Sequence, residues 1–442
     1  MLFVKPMITI DEALDYLYGF INYETDSSYS YKSIHYNIER TLILLDRLGA
    51  PHEGKRIIHV AGTKGKGSIC RILSELLGVQ KKRTGLFTSP HIERVNERIS
   101  VGGEEISDTD IIDILNEMRH VIDDWSRSTL PTTFEILTVM AMYHFKRRDV
   151  EWIVLETGMG GRFDSTNFSF PAVSVISPIS LDHTDKLGSS VEDIAREKAG
   201  IIKKRCPVVL GYQRYPVDEI FRRRAKRTES GLFSVEELCS YDVVSMSPEG
   251  TRFDATVDGI PLEGLFLSLS GEHQVQNTVT ALLALKTIDM LPDGDVVKVA
   301  LRGIGYPTRL ELIVRERRFL LDSAHNRDSA SVMAKAVKQI YSYERLFTIV
   351  GIVKGKDIEG IVESIAPVSD EIVVCDPVTH KERDTGLVYK IAKDHFPRCS
   401  LITDIYEAIE TVVRSSTERD LILITGSFYT TAPARSYLLR AR

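Results

Sequence analysis

The sequence predicts an α/β fold in two domains. The first is a parallel sheet with a small antiparallel patch, and the second is a smaller, Rossmann-like α/β domain. Short apolar runs alternate with helical patterns along most of the chain, which is typical of βαβ units. Residues 231–270 instead contain short alternating runs split by turns, which predicts the antiparallel patch. A new set of apolar runs begins after a turn-rich stretch at 303–307, which predicts the second domain.

One glycine-rich segment organises the first domain. Residues 55–77 read KRIIHVAGTKGKGSICRILSELL. The apolar run at 57–61 is typical of a strand buried on both faces of a parallel sheet. Three glycines follow within six residues: Gly62, Gly65 and Gly67. The apolar residues after them recur at helical spacing on one face. Strand, glycine loop and helix form the arrangement that cradles phosphate.

The chemistry of phosphate binding explains the residue types in this loop. Glycines allow positive φ and let backbone N–H groups approach phosphate oxygens, and the helix N-terminus adds partial positive charge. Lys66 is placed to reach the β- and γ-phosphates, and the Ser68 hydroxyl is placed for Mg²⁺. The spacing G-x-x-G-K-G-S differs from the common phosphate loop, but the context predicts nucleotide binding, so the first domain is expected to be a P-loop ATPase domain.

Composition excludes several classes of protein. The chain has 442 residues, 43% apolar and 27% charged, which is typical of a soluble globular protein. The net charge of −6 argues against a nucleic-acid binder. Five cysteines without a C-x-x-C pair indicate reduced thiols. No apolar stretch approaches 18 residues, so we expect a cytoplasmic protein without a signal peptide or membrane span.

The remaining elements follow from periodicity and capping residues. Helices are predicted from Thr9 onward and at 38–48, 108–123, 132–143 and 275–285, whereas the tyrosine-rich residues 23–36 are predicted to be a surface loop. In the first domain, further strands are predicted at 84–88, 151–157 and 172–178. In the second, strands are predicted at 319–322, 347–351, 371–375 and 421–425. The domain boundary is placed near Gly305, giving domains at 1–304 and 305–442.

Two polar residues end or follow strands beside the predicted phosphate loop. Ligands bind at the carboxyl ends of parallel strands, where Glu156 closes the strand EWIVLE. A carboxylate there suits Mg²⁺, although a strand-end Glu could instead pair with a surface lysine. His183 follows the strand VSVISP, and it could be a metal ligand or a structural histidine.

Lys198 is unusual because it lies on the apolar face of a predicted helix. It is seven residues after Val191 and four after Ile194. An inward lysine is costly unless it is paired, snorkels or is chemically altered. A lowered pKa would leave a neutral amine that reacts with CO₂ to give a carbamate, which is a metal ligand.

Three residues of the second domain are candidates for nucleotide contacts. Asp322 closes the strand FLLD, His325 follows it, and Arg309 lies just after the boundary. An arginine and an Asp/His loop from another domain would suit a nucleotide clamped between domains. Taken singly, Asp322 and Arg309 are better explained as a helix-cap aspartate and a surface arginine.

Together these motifs resemble the Mur ligase superfamily and, within it, the folylpolyglutamate synthase/dihydrofolate synthase family. The resemblance covers nearly the whole chain. It rests on HVAGTKGKGS at 59–68, LFTSPH at 86–91, TTFE at 132–135, LETGMGGRFDSTN at 155–167, ISLDHTDKLG at 179–188, REKAGI at 196–201, GEHQVQN at 271–277, RLE at 309–311 and DSAHN at 322–326. Lys64, Thr157 and Phe163 depart from the usual pattern, and the tyrosine-rich region matches poorly.

The resemblance implies roles for residues at matching positions. ATP would be bound by Gly62, Thr63, Gly65, Lys66, Gly67, Ser68, Asn277, Arg309, Asp322 and His325. Metal would be bound by Ser68, Ser89, Glu156, His183 and a carbamylated Lys198. The catalytic residues would be Lys66, Lys198 and His325, and the substrate contacts would be Phe134 and Asp164. The implied cofactors are ATP and Mg²⁺ at two sites, and the resemblance allows a monovalent cation.

The implied activity is ATP-dependent addition of L-glutamate to a folate or pteroate carboxylate through an acyl phosphate. The acceptor could be dihydropteroate, a reduced folate or both, and we expect a monomer that binds neither nucleic acid nor membrane. One alternative is another amide ligase of the superfamily, which joins an amino acid to a cell-wall precursor. A second is a catalytically inactive nucleotide-binding protein, although Lys66, Glu156 and Lys198 are all present.

Overall fold

The computed structural model describes residues 6–22, 38–125, 130–213, 215–379 and 381–440. The chain divides into two compact units. Unit 1 comprises residues 1–242, 254–265 and 276–303, and unit 2 comprises residues 243–253, 266–275 and 304–442. The predicted loop at 23–36 lies outside the described residues.

Unit 1 is built on an eight-stranded sheet. Its strands are β1 (Arg56–Ala61), β2 (Thr84–Phe87), β3 (Ile99–Val101), β4 (Glu104–Glu105), β5 (Trp152–Glu156), β6 (Val173–Ile176), β7 (Val208–Leu210) and β8 (Leu232–Ser234). Their order is β4-β3-β2-β5-β1-β6-β7-β8. Strand β3 runs antiparallel to β2 and β4, whereas every other pairing is parallel. The central strand β1 lies between β5 and β6, so the loop after β1 is flanked by the ends of both neighbours.

Helices connect these strands. Before residue 304 they are α1 (Ile10–Tyr18), α2 (Ile38–Arg47), α3 (Lys66–Gly78), α4 (Asp108–Asp123), α5 (Thr133–Arg147), α6 (Thr184–Leu187), α7 (Val191–Lys198), α8 (Val217–Arg227), α9 (Val235–Leu238), α10 (Glu272–Thr287) and α11 (Gly294–Arg302). Capping boxes begin α1 at Thr9 and α5 at Thr132, and the predicted helix start at Thr9 is confirmed. None of the helices in the described ranges is long and apolar enough to cross a membrane.

A smaller sheet follows the main one. Strands β9 (Cys239–Ser247), β10 (Gly250–Val257) and β11 (Ile260–Leu267) form a three-stranded sheet in the order β11-β10-β9. The predicted patch began at residue 231, but β8 instead pairs in parallel with β7 of the main sheet. A three-residue run is too short for its side-chain pattern to show which sheet it joins.

Unit 2 contains a six-stranded sheet in the order β12-β13-β17-β14-β15-β16. Its strands are β12 (Glu311–Val314), β13 (Arg318–Leu321), β14 (Leu346–Val350), β15 (Glu371–Val374), β16 (Cys399–Leu401) and β17 (Leu421–Thr425). Its helices are α12 (Arg327–Ile340), α13 (Ile358–Ile365), α14 (Thr385–His395), α15 (Ile405–Ser415) and α16 (Phe428–Arg440). Only the β12–β13 pairing is antiparallel. The predicted two-part α/β fold class is confirmed.

A buried ion pair joins two helices of unit 1. The Arg40 guanidinium of α2 donates to both Glu135 oxygens of α5, with nitrogen–oxygen distances of 2.7–3.1 Å. Glu135 is 5% exposed and also accepts the backbone N–H of Thr132 at 2.8 Å. The glutamate of the TTFE motif therefore holds α2 against the start of α5.

Candidate active site

The glycine loop joins β1 directly to α3. Gly65 precedes Lys66, the first residue of α3, with φ of 78°, and Gly62 has φ of 151°. A Cβ at Gly62 would overlap the Ser177 hydroxyl, and a Cβ at Gly65 would overlap the Asn277 carboxamide. Only glycine fits both positions. The structure thus places Asn277, a predicted ATP ligand, against the loop.

The loop is fastened to the chain that follows β6. The backbone N–H groups of Thr63 and Lys64 both donate to the Pro178 carbonyl, at 3.0 and 3.2 Å. The Thr63 hydroxyl donates to the Ser180 carbonyl at 3.1 Å. These bonds fix the first part of the loop. The later N–H groups of the loop lie in the first turn of α3, where a helix offers them no backbone acceptor.

A small cavity lies beside this loop. Its lining includes Gly62 and Lys66 of the loop, Gly158 after β5, and His183 and Lys198. All of these belong to unit 1. The residues that line the cavity are up to 136 positions apart in the chain. They lie together because the strand order of the sheet places the segments that carry them side by side.

Lys198 reaches the loop from the end of α7. It is 4% exposed, and its ammonium nitrogen donates to the Gly62 carbonyl at 2.7 Å. Burial and, to a smaller extent, the neighbouring charge of Lys66 together lower the pKa of Lys198 to about 7, against the opposing effect of nearby carboxylates. A substantial share of this lysine is therefore neutral amine near pH 7.

A second polar group lies at the end of β5. The Glu156 carboxylate is 3% exposed and accepts the backbone N–H of Ser89 at 3.2 Å. Its other oxygen lies 3.9 Å from the Lys66 ammonium. The structure thus brings together Glu156, Ser89 and Lys66, which are far apart in sequence. Ser68, in the first turn of α3, is buried.

The donor set suits a hard cation. No three His, Cys, Asp or Glu side chains in the described part of the chain are arranged to hold a metal by themselves. Mg²⁺ does not need such a cage, because it takes one or two protein oxygens together with water and phosphate oxygens. The buried Glu156 carboxylate and Ser68 hydroxyl fit that requirement.

His183 is the most exposed of the predicted metal ligands. It has a left-handed backbone with φ of 50°, and its side chain is 46% exposed. The Asp182 carboxylate accepts the His183 backbone N–H at 2.9 Å and lies 4.0 Å from Nε2. His183 faces the cavity, but its role as a metal ligand stays a prediction.

The two predicted substrate residues flank the glycine-rich segment after β5. The Phe134 ring packs so closely on Gly158 that a Cβ there would lie 2.5 Å from it. Asp164 is buried, and it accepts the Met159 N–H at 2.8 Å and the Thr166 hydroxyl at 2.5 Å. Asp164 therefore shapes the segment that borders the cavity, and its contact with substrate stays a prediction.

Sequence reasoning missed His59, which lies in the middle of β1. It is fully buried, with Nε2 2.8 Å from the Thr166 hydroxyl and Nδ1 3.4 Å from the Ser169 hydroxyl. Burial, with a smaller effect of Lys203, lowers the pKa of His59 to about 3. Its only signal in the sequence is a single polar residue inside an apolar strand.

We expect His59 to make the protein less stable in mild acid. The unfolded chain takes up a proton at this residue below pH 6.5, whereas the folded chain does so only near pH 3. The free energy of unfolding should therefore fall as pH drops from 6.5 toward 3, by up to about 1.4 kcal/mol per pH unit from this group. Urea unfolding of the wild type and His59→Gln at pH 7, 6 and 5 measures this, and equal slopes would contradict it.

In unit 2, the three predicted nucleotide residues lie together. Asp322 is buried and accepts the backbone N–H groups of Leu310 and Ala324, both at 3.0 Å. Burial raises its pKa, while nearby Arg309 opposes that shift. Leu310 has φ of 47°, so the carboxylate holds a turn that a leucine rarely adopts.

An aromatic residue that the sequence analysis missed joins this group. The Arg309 guanidinium lies 5.0 Å from the centre of the Phe428 ring and 5.5 Å from that of Tyr306. The His325 ring lies 6.2 Å from Phe428, and its Nδ1 is 3.0 Å from the Ser323 carbonyl. The only signal for Phe428 is its place after the strand LILIT and Gly426.

A single methyl group in the loop should weaken nucleotide binding. Gly65→Ala would place Cβ on the Asn277 carboxamide in a left-handed backbone, so we expect ATP affinity to fall at least about tenfold, for a cost near 1.4 kcal/mol. The matched control is Gly78→Ala at the other end of α3, where a Cβ meets nothing within 4 Å. Calorimetric titration of both variants with ATP tests this, and equal affinities would contradict it.

Comparison with known proteins agrees with this architecture. Residues 60–285 match the family model described as Mur ligase middle domain, and residues 308–428 match the Mur ligase, glutamate ligase domain. The dihydrofolate synthase/folylpolyglutamate synthase of Bacillus subtilis is 32% identical over 417 residues, covering 89% of this chain and 93% of that protein.

Two solved structures are similar over almost the whole chain. Mycobacterium tuberculosis folylpolyglutamate synthase complexed with ADP superposes with a TM-score of 0.88 at 29% identity, covering 98% of each chain. Escherichia coli FolC in complex with DHPP and ADP superposes with a TM-score of 0.87 at 25% identity, covering 98% of this chain and 99% of that one. The chain therefore belongs to the dihydrofolate synthase/folylpolyglutamate synthase family of Mur ligases.

Proposed function

We propose that this protein is an ATP-dependent ligase that adds L-glutamate to the carboxylate of a folate or pteroate, releasing ADP and phosphate. The observation that carries the proposal is the cavity of unit 1, where the phosphate loop with Lys66 and the buried Lys198 face the same space. The names of the relatives, all at high coverage of both chains, support the reaction and its acceptors.

The reaction has two steps. An oxygen of the acceptor carboxylate attacks the γ-phosphorus of ATP, the bond to the β-phosphate oxygen breaks, and an acyl phosphate and ADP form. The amine of glutamate then attacks the acyl carbon, phosphate leaves, and the nitrogen loses a proton as the amide forms. The protein's part is to position the groups and to neutralise charge.

Unit 1 supplies the residues for the first step. The loop from Gly62 to Ser68 would hold the phosphates through backbone N–H groups, with the Lys66 ammonium beside the γ-phosphate. Asn277, packed against Gly65, would contact the nucleotide. Phe134, packed against Gly158, would contact the pterin side of the acceptor.

Mg²⁺ would be held at two sites by the predicted metal ligands Ser68, Ser89, Glu156, His183 and carbamylated Lys198, of which Ser89 and Glu156 are already hydrogen-bonded to each other. Bound there, Mg²⁺ supplies charge neutralisation for the transferred phosphoryl group. A monovalent cation is a further candidate cofactor.

Lys198 would act after modification. Its neutral amine attacks CO₂, a nitrogen–carbon bond forms, and one proton is released to leave a carbamate anion. The lowered pKa supports this step because only the neutral amine reacts. The product would turn a buried cation into a buried anion suited to a metal.

Arg309, Asp322 and His325 of unit 2 would contact ATP, with Arg309 as phosphate partner and His325 as a catalytic residue. Two observations support these roles. The three residues lie close together in unit 2, and the Asp322 carboxylate holds the turn at Leu310, next to Arg309. We further propose that the protein is a cytoplasmic monomer.

The test is phosphate release from ATP plus L-glutamate, with dihydropteroate or tetrahydrofolate as acceptor. Activity with both acceptors would identify a bifunctional enzyme, and activity with tetrahydrofolate alone would identify a polyglutamylating ligase. A folded sample that binds ATP but releases phosphate with neither acceptor would refute the proposal. It would favour an amide ligase for cell-wall precursors, or a protein that only binds nucleotide.

A further inference from the structure

A buried row of hydrogen bonds connects β1 to the wall of the cavity. It begins at the Ser169 hydroxyl, passes through His59 and Thr166, and ends at the Asp164 carboxylate. Every one of these four side chains is buried, and His59 and Thr166 are fully so. The proposed reaction uses none of the first three, so their presence in the core needs another explanation.

The direction of each hydrogen bond follows from the partners. The Thr166 hydroxyl has one hydrogen, and it donates to the Asp164 carboxylate at 2.5 Å. At the 2.8 Å contact, Thr166 must therefore accept, so His59 Nε2 carries the hydrogen. His59 Nδ1 then has a free lone pair, which accepts the Ser169 hydroxyl. With the hydrogen on Nδ1 instead, no hydrogen would lie between Nε2 and the Thr166 oxygen, and Nδ1 could not accept from Ser169.

The far end of the row shapes the cavity. Asp164 accepts the Thr166 backbone N–H at 3.0 Å with the oxygen that meets the Thr166 hydroxyl. Its other oxygen accepts the backbone N–H of Met159 at 2.8 Å. Met159 and Gly158 line the cavity together with Lys198, so the position of their backbone depends on the aim of the Asp164 carboxylate.

We propose that His59 is a positioning residue for the reaction, acting through Thr166 and Asp164 on the backbone at Gly158 and Met159. His59 is fully buried and does not line the cavity, so it would act without contacting nucleotide or acceptor. The inference rests on the proposed function for its kinetic consequence, and on the hydrogen bonds alone for its structural one.

Two substitutions at the same position separate this role from simple packing. In His59→Gln the side-chain nitrogen reaches the place of Nε2 and can still donate to Thr166, whereas His59→Asn reaches only the place of Nδ1. We expect kcat to fall on the order of tenfold or more in His59→Asn with little change in KM for ATP. His59→Gln should keep kcat near that of the wild type.

Thr166→Val removes the same connection without altering His59. It should match His59→Asn, and the double variant should be no worse than either, because all three break one row of bonds. His120→Gln, on the exposed face of α4, is the control for a histidine outside the row. Equal loss in His59→Gln and His59→Asn, or additive losses in the double variant, would overturn the inference.

Hydrogen exchange gives a readout that does not need turnover. Amide exchange across residues 155–167 should become faster in His59→Asn and Thr166→Val but not in His59→Gln, because Asp164, which accepts the Met159 N–H, is then held less firmly. If the wild type ligates no glutamate, the proposed function fails while this comparison still decides the inference. Unchanged exchange in all three variants would overturn it.

Discussion

Replacing Lys198 by alanine is expected to lower turnover about 100-fold or more while leaving ATP affinity close to that of the wild type. The phosphate loop keeps its backbone N–H groups and Lys66, so nucleotide binding survives. What is lost is the only buried amine at the cavity in the described chain, the one bonded to the Gly62 carbonyl. Steady-state kinetics together with calorimetric ATP titration measures both quantities.

The control is Lys204→Ala, which removes a lysine whose side chain is 65% exposed just beyond the segment that follows α7. It should retain wild-type turnover. If Lys198→Ala turns over as fast as the control, the proposed carbamate is wrong, and so is the proposed role of Lys198 as a metal ligand.

The carbamate itself predicts a dependence on CO₂. Below pH 7 Lys198 is mostly ammonium, which does not react, and above pH 7 the neutral amine dominates. Stripping CO₂ from the buffer should therefore lower turnover at pH 8, and bicarbonate should restore it. At pH 6 added bicarbonate should restore less. If turnover does not depend on CO₂ at either pH, the carbamate is contradicted and Lys198 acts as an unmodified buried amine.

Arg40→Ala is expected to lower the free energy of unfolding by about 3–5 kcal/mol. The substitution leaves the Glu135 carboxylate buried without its cation, although burial raises the pKa of Glu135 and so eases its protonation. Urea unfolding at pH 8, where protonating the orphaned carboxyl group costs most, should show the largest loss. At pH 5 the loss should be smaller, because the orphaned carboxyl group can take up a proton.

Two variants test the cause. Arg40→Ala combined with Glu135→Gln should be more stable than Arg40→Ala alone, because no unpaired charge remains while the amide oxygen can still accept the Thr132 N–H. Arg223→Ala breaks an exposed pair with Glu219 and should leave the midpoint nearly unchanged. A double variant less stable than the single one would show that packing, and not charge, dominates at this site.

Much of the fold could be read from local patterns. The helix α4 has the predicted limits, and the phosphate loop begins α3 at Lys66 as its glycines require. Strands β5, β14 and β17 lie within about one residue of their predicted ends. In contrast, β7 and β16 were missed, because three-residue strands are too short to carry a period.

Within the site, the sequence singled out the residues whose chemistry is unusual for their position. Lys198 on an apolar face and Glu156 at a strand end are both buried, as a ligand or reactive group would be. The sequence did not identify His59 or Phe428, because a histidine in a strand and a phenylalanine after a turn are ordinary until their neighbours are known.

The sequence by itself determined the family, the phosphate loop and the inward position of Lys198, since each depends on neighbours within a few turns of helix or along one strand. Tertiary structure alone decided what those residues meet. Gly62 meets Ser177, Lys198 meets the Gly62 carbonyl, and His59 meets Thr166. Such contacts join residues about 100 positions apart, and they depend on the order of strands in the sheet, which no local period encodes.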